Sequence, residues 1–139
     1  YKLPIPLNDD SYNFSFSGLK SAVINLNHNE EQKGKTINKE NLAASFQAVA
    51  IKSIVTKTKK ALKDYNINNL IVAGGVAANS ILREAISNMC KENNIHLSIP
   101  PLKYCTDNAA MIAAAGYYAY KLGRRADYNL NSISSTPLQ

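Results

Sequence analysis

Apolar and polar positions along the chain change period several times, and each change marks an element. Tyr12-Asn13-Phe14-Ser15-Phe16 alternates aromatic and polar residues strictly, the period of a half-buried strand, and Ser17 stands where it can cap a helix behind it. Residues 28–37 are polar and lysine-rich around Gly34, which reads as an exposed loop. Leu42, Phe46, Val49, Ala50, Ile54 and Ala61 fall near one face of a long amphipathic helix, with Asn38 before Glu40 as its cap. The apolar run Leu70-Ile71-Val72-Ala73 has the length of a buried strand and breaks at Gly74-Gly75. Ala78, Ile81, Leu82, Ala85, Ile86 and Met89 then predict a second amphipathic helix ending near Asn93-Asn94. Ile95 to Ile99 forms the next predicted strand, closed by Pro100-Pro101, and from Thr106 to about Leu122 almost every residue is apolar or small, the pattern of a helix buried all round. Residues 123–139 read as a polar C-terminal tail.

Strand and helix alternating over short connections predict an α/β layer with parallel pairing. Three predicted strands are too few for a doubly wound sheet, so the remainder of the domain is expected before Tyr1. Leu3-Pro4-Ile5-Pro6 supports that expectation, since it reads as an extended connector arriving from upstream. Ligands of such sheets gather at the carboxyl ends of the strands, which is where Gly74-Gly75 and the Pro101–Asp107 loop would sit.

The glycine turn is the first candidate for chemistry. Glycines let a backbone approach a ligand without a Cβ in the way, and a following helix aims free N–H groups and its positive dipole end at an anion. A lone Gly-Gly is a weak signal, because plain strand-to-helix turns use the same residues. The second candidate is Cys105-Thr106-Asp107-Asn108, where Thr106 or Asp107 opens a helix. Asp107 is either a cap, taking up an orphan N–H, or a carboxylate ligand holding a divalent cation against nucleotide phosphates.

Composition narrows the classes. The 139 residues, 45% hydrophobic, suit one domain with a core. No run approaches the roughly 18 apolar residues of a membrane span, and a soluble protein is expected. Cys90 and Cys105 lie far apart without Cys-x-x-Cys spacing, so a reducing cytoplasm is the expected setting. The charge of +6 points to an anionic partner, nucleic acid first. Yet Lys57, Lys59, Lys60 and Lys63, like Lys121, Arg124 and Arg125, crowd helix ends, where solvated cations offset the dipole without any ligand.

Other catalytic patterns fail. Ser17-x-x-Lys20 resembles the acylating serine motif of penicillin-recognising enzymes but lacks that family's companion elements. Gly34-Lys35-Thr36 ends like a phosphate-binding loop, but Asn29 stands where its first glycine belongs and no strand precedes it. His28, in the polar loop, and His96, within a strand, are isolated, so neither is expected as a ligand and no Ser/His/Asp or Cys/His set can be assembled.

Three segments in register, Phe14-Ser15-Phe16-Ser17-Gly18-Leu19-Lys20, Ala73-Gly74-Gly75-Val76-Ala77-Ala78-Asn79 and Cys105-Thr106-Asp107-Asn108 with Met111-Ile112-Ala113, closely resemble the TsaD family. Those proteins transfer a threonylcarbamoyl group from threonylcarbamoyl-adenylate to N6 of the adenosine 3′ of the anticodon in tRNAs reading codons that start with A (t6A synthesis). Older usage named them O-sialoglycoprotein endopeptidases. The resemblance implies the C-terminal portion of an actin-like, sugar-kinase-like ATPase (ASKHA) fold, incomplete without an upstream lobe. It implies Gly74, Gly75 and Asn79 as nucleotide-binding residues and Asp107 as a metal ligand, the cofactor being one divalent metal, iron or zinc. The family's other ligands are histidines of a His-x-x-x-His motif that nothing here matches, so the piece alone is expected to be inactive. No catalytic residue is assigned, and Ser17–Lys20 is expected to serve helix start and packing. Expected partners are tRNA, threonylcarbamoyl-adenylate or ATP, other t6A-synthesis proteins and further subunits, with no membrane. The alternatives are a non-catalytic lobe acting as an interaction module and a small-molecule O-carbamoyltransferase.

Overall fold

The structure, a computed structural model, describes residues 1–133. Its elements are α1 (Ser17–Gln32), α2 (Lys39–Asp64), β1 (Asn69–Ile71), a 3-10 turn (Gly75–Ala78), α3 (Ser80–Glu92), β2 (His96–Ser98), a second 3-10 turn (Leu102–Tyr104) and α4 (Ala109–Lys121). Strands β1 and β2 pair in parallel, Asn69 opposite His96 and Ile71 opposite Ser98, with α3 as the crossover. The α/β class and the parallel pairing agree with the sequence pattern.

The core is a wedge between α2, α3 and one face of the sheet. Ile51 and Leu62 of α2 meet Leu82, Ile86, Met89 and Cys90 of α3, with Leu70, Val72, Ile95 and Leu97 from the strands packed against them. Period-2 alternation sends Leu70 and Leu97 inward and leaves Ile71 on the opposite face at 77% exposure. Each helix ends in one motif. Gly34, Asn66, Asn94 and Gly123 all take positive φ, and the next residue donates back into the last turn, as Lys35 to Glu30, Ile67 to Leu62, Ile95 to Cys90 and Arg124 to Ala119. After α2 and α3 this hook turns the chain directly into a strand.

Several expectations are corrected. Tyr12–Phe16 forms no strand: among the described residues it has no neighbouring strand to pair with, and Phe14 and Phe16 stack on each other in the open with ring centroids 6.3 Å apart. Ser17 is the first residue of α1 rather than its cap, and its hydroxyl pairs with Ser15 Oγ at 2.9 Å. The polar stretch from His28 to Gln32 is helical, held by Asn27 Nδ2 donating to Glu31 at 2.7 Å and stopped only by Gly34. Lys57 is no solvated cation. It is buried, and its ammonium donates to Asp9 Oδ1 at 2.8 Å and to the Ser11 carbonyl at 2.7 Å, tying the N-terminal segment to α2. The helix expected to be buried all round, α4, buries no residue, because no surface among the described residues covers it. Residues 123–133 of the polar tail are exposed, and residues 134–139 lie outside the described residues.

Candidate functional site

At the carboxyl ends of β1 and β2 lies a cavity of about 990 Å³. One wall is Ile71, Ala73, Gly74 and Gly75; the other runs from Ser98 and Pro100 through Tyr104 and Cys105 to Thr106, Asp107 and Met111. Parallel strands part here because the last rung, Val72 N–H to the Ser98 carbonyl at 2.9 Å, is followed by two prolines that have no N–H to donate.

Gly74 turns the chain with φ +91° and ψ 171°, a conformation open essentially to glycine alone. Gly75 then opens the 3-10 turn, which closes through Ala77 N–H to the Gly74 carbonyl at 3.0 Å. A Cβ added at either glycine would meet nothing within 4 Å, so the space before the turn is free for a ligand. On the opposite wall α4 is capped by Asn108, whose side-chain oxygen accepts from Met111 N–H at 3.0 Å while its amide donates to the Thr106 carbonyl at 2.9 Å. The cap is therefore neither Thr106 nor Asp107. Asp107 stays exposed on the cavity wall, and no hydrogen bond engages its carboxylate among the described residues.

The structure thus brings Gly74, Gly75 and Asp107 to one cavity. Asn79 sits elsewhere. It caps α3, accepting from Leu82 N–H at 2.9 Å, and its amide donates to Gln47 at 3.2 Å, on the edge of a separate apolar cavity of about 580 Å³ lined by Phe46, Ile51, Val76 and Leu82. His96 does line the Asp107 cavity, whereas His28 lies in α1. No group of three or more His, Cys, Asp or Glu side chains able to hold a metal exists among the described residues. A resident ion takes three or four protein ligands, so the donors among the described residues do not make a metal site by themselves.

Sequence reasoning passed over Arg83 and Tyr104. Tyr104 lines the cavity beneath the Lys103 ammonium, which lies 4.8 Å from its ring centroid, and Arg83 spans the two walls. The available signal was position: Arg83 follows the Asn79 cap by four residues and so projects from the first turn of α3. Cys90 and Cys105 are both buried and unpaired by disulfide, and burial pushes the Cys90 thiol up. No helix among the described residues is long and apolar enough to cross a membrane.

Residues 1–114 match the family model of tRNA N6-adenosine threonylcarbamoyltransferase, TsaD. A protein of that name from Staphylococcus saprophyticus is 56% identical over 96% of this chain, one from Staphylococcus carnosus is 53% identical over 96%, and one from Staphylococcus aureus is 51% identical over 100%. The chain spans 39–41% of the length of these relatives. On the family match over most of its length, this chain belongs to the TsaD family.

Proposed function

We propose that this chain forms the nucleotide-side wall of a tRNA threonylcarbamoyltransferase, acting in t6A synthesis as part of a longer, two-lobed ASKHA-type protein. The observation that carries the reading is the convergence of the Gly74-Gly75 turn and the free Asp107 carboxylate on one cavity at the strand ends. Threonylcarbamoyl-adenylate fits that site by chemistry. Its phosphate is anionic, and a glycine turn offers backbone N–H groups with no side chain in the way. The remaining step is attack by the adenine amine of tRNA on the carbamoyl carbon, with AMP leaving.

Asp107 contributes one carboxylate to a divalent metal, iron or zinc, whose other ligands come from outside this chain. Asn79 fixes the end of the glycine turn through its cap, and its amide, bonded once to Gln47, keeps a second N–H for a nucleotide. tRNA, the other t6A-synthesis proteins and a cytoplasmic setting complete the reading.

A second reading, a non-catalytic interaction module, is favoured by the exposed apolar surface of α4, where Ile112 is 69% exposed. Two substitutions in the full-length protein separate the readings. Asp107→Ala is expected to abolish t6A formation, a loss of at least about 100-fold, without weakening α4, because the cap is Asn108. Asn108→Ala is expected to cost about 1 kcal/mol in urea unfolding. Full t6A formation by Asp107→Ala would favour the interaction module.

A further inference from the structure

We propose that Arg83 is a positioning residue that holds the two walls of the Gly74–Asp107 cavity at a fixed separation. Its Nη1 donates to the Ala77 carbonyl at 2.9 Å, inside the 3-10 turn that Gly75 opens. Its Nη2 donates to the Pro100 carbonyl at 2.9 Å, on the opposite wall, and Nη1 also lies 3.7 Å from Cys105 Sγ. One planar guanidinium therefore bridges two segments that the sheet no longer holds, since strand pairing ends at Val72 and Ser98.

The wall after Ser98 needs such a tie. Pro100 and Pro101 lack a backbone N–H and cannot extend the ladder; the Pro101 carbonyl is met within the segment by Tyr104 N–H at 2.9 Å, but that of Pro100 receives no backbone donor among the described residues. Arg83 supplies one to Pro100. The Cys105 thiol lies 3.9 Å from the Pro100 carbonyl and 3.7 Å from that of Pro101, much weaker contacts. Arg83 is anchored in turn. Its own N–H bonds to the Asn79 carbonyl at 3.0 Å, and it stands on α3 beside core residues Leu82 and Ile86. A lysine cannot replace it, because one ammonium lacks the rigid fork that reaches both carbonyls at once.

The catalytic consequence rests on the function proposed above; the mechanical claim does not. The test uses the full-length protein with Arg83→Met, which keeps the apolar stem, and Arg83→Lys, which keeps the charge. Hydrogen exchange is followed by mass spectrometry together with steady-state kinetics on threonylcarbamoyl-adenylate. Arg83→Met is expected to speed exchange about 10-fold or more at Gly75–Ala78 and at Leu102–Asp107, with Ile51–Leu62 of α2 unchanged. KM for the adenylate is expected to rise about 10-fold, more than kcat falls, with Arg83→Lys intermediate. Wild-type exchange in both windows of either folded variant would overturn the proposal, as would an increase spread evenly over α2 and α3. A wild-type protein that makes no t6A would overturn the proposed function while leaving the exchange result to decide the role of Arg83.

Discussion

Helices α3 and α4 are each 13 residues long, and each opens on an asparagine that accepts a hydrogen bond from the third residue beyond it, yet their surroundings are opposite. In α3 the apolar residues form a stripe that meets α2 and the sheet, burying Leu82, Ile86, Met89 and Cys90. In α4 they lie nearly all round, and none is buried. Apolar content alone does not bury a helix; a stripe matched to a partner surface does. Its tyrosines instead lean on one another and on nearby cations: Tyr117 and Tyr118 meet edge to face at 5.5 Å, with Lys121 over Tyr117 and Arg125 over Tyr120.

Truncating one isoleucine in each helix probes that contrast most strongly. Ile86→Ala removes a side chain that is 3% exposed from the wedge, with an expected loss of about 2–5 kcal/mol in urea unfolding. Ile112→Ala is expected to stay within about 0.5 kcal/mol in this chain. Equal losses would mean that α4 packs as α3 does, and would break the comparison.

The two glycines of the turn give the next effect in size, and they compare backbone with space. A Cβ at Gly74 would meet no atom, so any cost of Gly74→Ala comes from its positive φ, about 1–3 kcal/mol. Gly75→Ala, with equal space and an ordinary φ, is expected to leave unfolding almost unchanged. A fall in adenylate affinity for Gly75→Ala, measured by calorimetry in the full-length protein, would then report a ligand at that backbone rather than a damaged fold.

What the sequence made legible follows from which features are local. The α3 stripe, the parallel β1–β2 pair and the meeting of Gly74, Gly75 and Asp107 all follow from period, turn chemistry and the strand-end rule. The failures depend on partners that local pattern does not specify. Tyr12–Phe16 has the alternation of a strand but no strand to pair with, and α4 has apolar residues but no cover among the described residues. Lys57 sat in a lysine run that looked solvated, and only the return of Asp9, 48 residues away, marks it as buried. The cap of α4 moved by one residue, from Asp107 to Asn108, and that single step frees a carboxylate for chemistry.

The Lys57–Asp9 pair carries the smallest expected effect and extends the contrast to the N-terminal segment, which is fastened to α2 by polar bonds. Lys57, the buried partner, donates a hydrogen bond that holds the Asp9 carboxyl below the ordinary carboxylate range. A carboxylate with a depressed folded pKa contributes stability that is complete above its unfolded value, about 4, and is lost as pH falls through the folded value. Amides of Asp9–Asn13 are therefore expected to lose exchange protection as pH drops below about 4, while those of Leu82–Cys90 keep theirs. Asp9→Asn cannot titrate and should expose the segment at every pH, removing the acid-dependent step. If that step persists in Asp9→Asn, another carboxyl carries it, and the segment is held to α2 by contacts such as Tyr12 Oη to Asp64, 2.7 Å, rather than by the buried lysine.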